Sequence, residues 1–245
     1  MAKNNVWLSV SDLMTGLMII FLFVAIAYMI RVDSNQSILT EYVETKQSLH
    51  DKLVKEFEGD TAKWQMAIGK DLSMKFNNPQ VLFATGSYQL TPTFCEILNE
   101  FIPRYLSILL EDSLSNKIRE IRIEGHTDDV PAPQFGTDPF LANIKLSQLR
   151  SYSVLEYIRN MESYQTYTEE QKRKLEFWFT ANGLSYGKAI DSNGRYVAES
   201  KKALDKDRSR RVEFRIITSG EEVLEDFVKK NKQNNAYIPQ IEYNE

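Results

Sequence analysis

Cysteine and histidine are almost missing from the 245-residue chain: Cys95, His50 and His126 are the whole supply. A single thiol excludes an intrachain disulfide, and one Cys with two His cannot assemble the four-ligand cluster of a structural zinc fold. Positive charge is not in excess either. The 30 Lys and Arg stand against 34 Asp and Glu, a net charge of −4, which argues against a nucleic-acid-binding surface. The charge is unevenly placed, because residues 1–31 hold only Lys3, Asp12 and Arg31, a sum of +1, and leave −5 to the remainder. Long apolar runs are scarce, with one exception near the N-terminus. With 42% hydrophobic and 26% charged residues the balance is globular and rules out wholesale disorder. The length has room for one domain of ordinary size plus extra segments.

The exception is residues 13–30, LMTGLMIIFLFVAIAYMI, 18 residues without a charge in a chain whose mean hydropathy is −0.39. At ~1.5 Å per residue the run is about 27 Å long, close to the ~30 Å hydrocarbon thickness of a bilayer. Counted from Val6, the span is 25 residues and contains one acid, Asp12. A cleaved signal peptide is the competing reading. Its basic start would be Lys3 alone, and Ile-Ala-Tyr-Met-Ile lacks a small-x-small exit, so the run is read as a retained anchor. Lys3 on one flank and Arg31 on the other set its orientation only weakly.

Residues 32–60 are polar and proline-free, with Leu39, Tyr42, Leu49, Leu53 and Phe57 at spacings of three, seven, four and four. That spacing predicts an amphipathic helix whose seam Lys46 interrupts; a short parallel coiled coil and a solvated linker helix both satisfy it. Residues 61–78 have mixed helical character, ended by Asn77-Asn78-Pro79. A compact α/β pattern then begins. Val81-Leu82-Phe83 reads as a short strand, Thr91-Pro92 as an N-cap followed by proline at the first helical position, and residues 94–110 as an amphipathic helix. Ile121 and Ile123 alternate with Arg122 and Glu124, as a strand with one buried face does. Residues 143–159 have helical spacing, residues 177–180 read as a third strand, and Val212, Phe214 and Ile216 alternate with Glu213 and Arg215. Strand, helix, strand, helix, strand, strand makes a small two-layer α+β domain.

Asp12 needs a physical account, since a carboxylate at the centre of a membrane helix costs about 2.5–3.5 kcal/mol on insertion scales. An acid that alternates between neutral and charged forms inside a membrane is what a proton relay requires. The competing reading makes Ser9 an N-cap and Asp12 its capping-box acid, marking a helix start at the interface. Farther along, Gly125-His126-Thr127-Asp128-Asp129 lies where a strand leaves its sheet, a place where ligand groups are displayed. An exposed Asp128 beside Arg150 would offer opposite charges to a ligand carrying both an amine and a carboxylate. A structural Asp128–Arg150 ion pair holding a loop satisfies the same residues.

Three ordered motifs over about residues 80–218 resemble the OmpA-like peptidoglycan-binding domain: Gly125-His126-Thr127-Asp128, Asn143-x-x-Leu146-Ser147-x-x-Arg150 and Arg210-Arg211-Val212-Glu213-Phe214. The resemblance implies that Asp128 and Arg150 grip the diaminopimelate of the peptidoglycan stem peptide, with Asn143 and Arg211 lining or bracing the site. Residues 130–140 lengthen the separation between Asp128 and Arg150, as in motor stators, and Ser209 stands where many members have asparagine. The N-terminus is similar to the same stators: Trp7-x-x-x-Ser11-Asp12-Leu13-Met14-Thr15-Gly16-Leu17-Met18 looks like the transmembrane signature of MotB-type subunits, whose aspartate carries the transported ion. The segment before the membrane is short and the basic extension common in flagellar MotB is missing, features that point to the MotB-like B subunits of the Zorya anti-phage defence system.

The resemblance implies an α+β chain divided into four parts. Residues 1–31 hold a short cytoplasmic tail and the membrane helix, and 32–78 the linker. Residues 79–220 are the OmpA-like domain and 221–245 a polar tail. It implies a non-enzymatic homodimer without cofactor or metal, inside a ring of a multi-span MotA-like subunit, anchored in the bacterial inner membrane with its C-terminal domain held by peptidoglycan in the periplasm. A flagellar stator and a passive membrane-to-wall tether are the alternatives. Gly183-Leu184-Ser185-Tyr186-Gly187 matches the hydrolase nucleophile elbow, but both histidines precede Ser185, so it is read as a turn. His126 is read as structural, Cys95 as a buried small apolar residue, and residues 201–211 as a mostly solvated face around Arg211.

Overall fold

The structure, a computed structural model, describes residues 3–84 and 86–221. Helix α1, Lys3–Phe57, has no proline to stop it and runs for 55 residues. Val10–Ile30, 21 residues long, is the one stretch among the described residues long and apolar enough to cross a membrane, and its side chains are exposed. At ~1.5 Å per residue it reaches about 31 Å. Because α1 begins at Lys3, Ser9 stands inside the helix. Asp12 therefore has no helix terminus to cap, and the capping-box reading falls away.

Thr45–Glu221 forms one compact unit, so the unit begins inside the segment that the sequence assigns to a linker. Leu49, Leu53 and Phe57, the end of the expected seam, are core residues of this unit. Arg104 fastens that end: its guanidinium lies 4.7 Å from the Phe57 ring centre, pairs with Glu56 at 2.7 Å and reaches Asp60 at 2.8 Å. Leu49, Leu53 and Phe57 are thus unavailable to a seam with a second copy. The Leu39 side chain lies outside the described ones.

After α1 come helix α2, Thr61–Trp64, and a hairpin of β1, Met66–Ile68, and β2, Ser73–Phe76, where the sequence suggested mixed helix. Strands of three and four residues carry too little periodicity to separate the two. Helix α3, Pro79–Leu82, replaces the expected strand at 81–83: the Asn78 side chain accepts from the amides of Gln80 and Val81, and Pro79 fills the first helical turn. Asn-Pro is a helix-start pair, and it overrides the β-rich Val-Leu-Phe that follows. Thr91 caps helix α4, Pro92–Leu109, as expected. Helix α5, Asp112–Ser115, leads to β3, Ile118–Gly125. Helices α6, Pro139–Asn160, α7, Glu162–Gln165, and α8, Glu169–Trp178, carry the chain to β4, Phe179–Gly183. Residues 177–178 end α8 and are not strand. The last strand is β5, Val212–Thr218.

The sheet order is β1-β2-β5-β3-β4, antiparallel except for the β3–β4 pair. Its core face, including Met74, Phe76, Ile121, Ile123, Phe214 and Ile216, packs with Phe94, Leu98, Phe101 and Tyr105 of α4. This is the two-layer α+β arrangement that the sequence pattern predicts. Two glycines let α6 lie against the sheet: a Cβ on Gly125 would stand 2.3 Å from the Ser147 carbonyl oxygen, and one on Gly183 would stand 2.4 Å from the Gln148 amide nitrogen. That contact brings the Leu-Ser-x-x-Arg turn of α6 to the end of β3. Cys95 is half-buried, not buried as expected.

Candidate functional site

The chain leaving β3 is held on both sides. His126 donates its amide to the Arg211 carbonyl at 3.0 Å, and Thr127 donates to the Ser185 carbonyl at 3.0 Å. Asp128 follows in a turn in which Oδ1 accepts the Val130 amide at 3.1 Å. Its Oδ2 is buried, accepts no hydrogen bond, and faces Nη1 of Arg210 at 3.5 Å. Asn143 staples the loop to α6 by donating Nδ2 to the carbonyls of Val130 at 3.0 Å and Pro139 at 3.1 Å.

Arg150 comes to the same place from α6 and is 8% exposed. Its Nε donates to the Ser87 carbonyl at 2.9 Å, and its guanidinium carbon lies 4.9 Å from the Phe83 ring centre. Burial pushes its pKa down to about 10; Asp128 opposes that shift and Arg210 adds to it. The three charges therefore share one environment. Among the described residues Arg150 makes no ion pair within 4.0 Å, so the structural Asp128–Arg150 pair is not formed. Among the described residues Asp128 Oδ2 accepts no hydrogen bond and is held only by the 3.5 Å ion pair with Arg210, beside a desolvated Arg150 guanidinium that has no carboxylate partner. The acid is also less exposed than its sequence position suggests, at 4%.

Arg211 points the other way. Its side chain is 1% exposed and donates to Glu213 at 2.6 Å, Ser209 at 3.3 Å and Lys188 at 3.1 Å, the last two through backbone carbonyls. Glu213 stands opposite Glu124 in the β3–β5 register, and His126 Nε2 lies 3.6 Å from a carboxylate oxygen of each. Like charges directly opposed in a sheet repel. Here Arg211 and Arg215 balance them: burial raises the pKa of Glu213, but Arg211 and His126 outweigh it and the net shift is downward. Glu124 behaves likewise, with His126 and Arg215 outweighing its burial. Burial lowers the pKa of His126 despite its two acid neighbours. Glu124, His126 and Glu213 bring three possible ligand atoms within 4.8 Å of one another. Arg211 and Arg215 already supply the positive charge that a metal ion would bring.

The structure thus brings Asp128, Arg150 and Asn143 together and sets Arg211 behind them; Asp12 lies in α1. Ser185 is buried in the turn after β4, its amide bonded to Ser147 Oγ at 3.0 Å, with no catalytic base beside it among the described residues. Residues 201–211 are only partly a solvated face, since Ser209 and Arg211 are buried. Sequence reasoning missed Arg210, Ser87 and Phe83. Arg210 closes the short helix Lys206–Ser209 just before β5, and its place in the Arg210-Arg211 motif was the only signal for it. Nothing in the sequence ties residues 83–87 to Arg150, 63 residues later than Ser87.

No family model matches the chain. Two solved forms of the periplasmic domain of Helicobacter pylori MotB are similar to it. The form of residues 97–256 is 16% identical, with a TM-score of 0.41 over 69% of this chain and 97% of that one. The form of residues 78–256 is 15% identical, with a TM-score of 0.38 over 66% and 86%. Over 225 residues, 89% of this chain and 90% of the relative, it is 36% identical to the Zorya protein ZorB of Escherichia coli. On that identity and coverage, the chain belongs to the ZorB family.

Proposed function

We infer that the chain is the wall-anchored, ion-conducting stator subunit of a Zorya-type rotary motor in the bacterial inner membrane, with no enzymatic activity of its own. In this reading two copies place their Val10–Ile30 spans inside a ring of a MotA-like partner, and the unit Thr45–Glu221 grips peptidoglycan on the periplasmic side. Asp12, inside the span and away from any helix end, takes up and releases the transported proton, and its change of charge biases the ring between rotational states. Shielding by the partner ring removes the cost of placing the carboxylate against lipid. The wall contact supplies the fixed point against which the ring turns.

The observation that carries the reading is Asp128 Oδ2, held among the described residues only by its ion pair with Arg210, beside a buried Arg150 that has no carboxylate partner. A diaminopimelate end would place its ammonium on the first, in exchange for Arg210, and its carboxylate on the second. Asn143 and Arg211 brace the two loops that hold the pair. Charge-assisted hydrogen bonds contribute about 1.5–3 kcal/mol each, or roughly 10–100-fold in affinity. The full-length chain in detergent, carrying Arg150→Ala or Asp128→Ala, should sediment with diaminopimelate-type sacculi that much more weakly while keeping its thermal melt. Folded variants that bind sacculi as wild type does would remove the wall site from these residues.

A further inference from the structure

The segment between Asp128 and α6 folds back on the loop that holds Arg150. Gln134 donates Nε2 to the Gly86 carbonyl at 2.9 Å, and the Phe135 ring meets the Tyr88 ring edge-on with centres 6.3 Å apart. Phe135 is anchored in turn on Ala132, Ala142 and Leu146, a small apolar cluster separate from the main core. The loop that receives these contacts is closed at its base by the Phe83–Leu90 bridge, and Gly86 at φ +67° makes the turn that a side chain would strain. Ser87, one residue before Tyr88, is the residue whose carbonyl holds Arg150. The Tyr88 backbone therefore directly follows the carbonyl that holds Arg150, and its ring, set against Phe135, is 40% exposed. The Phe135 contact covers only part of the ring and leaves the rest in solvent.

We propose that Tyr88 is a specificity-determining residue of the wall site, taking the aliphatic spacer of diaminopimelate while Asp128 and Arg150 take its charged end. The proposal rests on the wall-binding reading above. Three methylenes separate the free ammonium and carboxylate from the carbon in the peptide; four bonds of about 1.5 Å reach roughly 5 Å. The Tyr88 Cα lies one residue, about 3.8 Å of backbone, beyond the residue whose carbonyl fixes Arg150, and in the proposal its ring turns towards the spacer. Laying methylenes on a ring that is already ordered removes apolar surface from water at little entropic cost. The segment carrying Gln134 and Phe135 then acts as a positioning element for the ring.

The test compares meso-diaminopimelate with glycine, which presents the same ammonium and carboxylate without a spacer, on the full-length chain in detergent by ligand-observed NMR titration. Wild type should prefer diaminopimelate. Tyr88→Ala should weaken diaminopimelate about tenfold, as expected for one or two methylenes left in water, and leave glycine unchanged. Tyr88→Phe should keep the preference, and Phe135→Ala should lose part of it. A Tyr88→Ala chain with the wild-type preference overturns the proposal, and so does one that loses both ligands alike, which would make Tyr88 only a support for the loop. Arg150→Ala separates the two readings: if it weakens both ligands while Tyr88→Ala changes neither, wall binding stands and the spacer subsite falls.

Discussion

Replacing Arg211 by methionine tests whether this residue touches the ligand or holds the sheet end together. The methionine keeps much of the side-chain volume and removes the charge. In its place Glu213 loses a 2.6 Å donor, and the carbonyls of Ser209 and Lys188 lose theirs at 3.3 and 3.1 Å. Glu213 is 1% exposed and stands opposite Glu124, so its charge would be left with His126 at 3.6 Å and Arg215 at 3.4 Å. Removing one partner of a buried pair costs about 3–5 kcal/mol, because the other charge remains desolvated. At roughly 2–4 °C per kcal/mol for a unit of this size, the melting temperature should fall by about 6–20 °C. Trp64 and Trp178, both buried in the unit, report the transition by fluorescence in the detergent-solubilised full chain, with urea unfolding as the second measure. Arg211→Met/Glu213→Leu should recover most of the loss, since the double variant leaves no lone charge on that side. A single variant that loses less than about 1 kcal/mol refutes the balanced-charge account. If that variant also fails to bind sacculi, Arg211 is a ligand contact.

Two further outcomes follow from the same groups. His126 has a lowered pKa in the fold, so below its unfolded value of about 6.5 the unfolded chain binds a proton that the folded chain does not. Stability should therefore fall as pH drops from about 6.5 towards the folded pKa, by at most ~1.4 kcal/mol per pH unit, and His126→Gln should flatten that slope in urea titrations. Glu124 and Glu213 have lowered pKa values, so their contribution is lost only at more acid pH, as the medium passes below the ordinary carboxylate range. In cells, Asp12→Asn should leave membrane assembly intact and abolish activity, because an amide cannot cycle a proton; full activity with normal assembly ends the relay reading.

The sequence by itself determined the elements whose signal is local and periodic. The uncharged run at 13–30 could only be a membrane span or a signal peptide, the Thr91-Pro92 pair set the start of α4, and the alternations around Ile121 and Phe214 set the two central strands. It also placed Asp128, Asn143 and Arg150 in motifs that the fold does bring together. The tertiary structure decided what each of these side chains meets. Leu49, Leu53 and Phe57 have the spacing of a coiled-coil seam, and periodicity cannot say whether an apolar stripe packs on a second copy or on its own domain. The hairpin at 66–76 escaped because its strands are three and four residues long, too short for a period of two to stand out. Arg210 and Arg211 are neighbours in sequence, yet the first, closing the helix Lys206–Ser209, pairs with Asp128 and the second is buried against Glu213, a difference set by the turn between that helix and β5. Arg150 takes its backbone acceptor and its aromatic support from residues more than 60 positions earlier, and a contact at that separation is fixed only when α4, α6 and the sheet have packed.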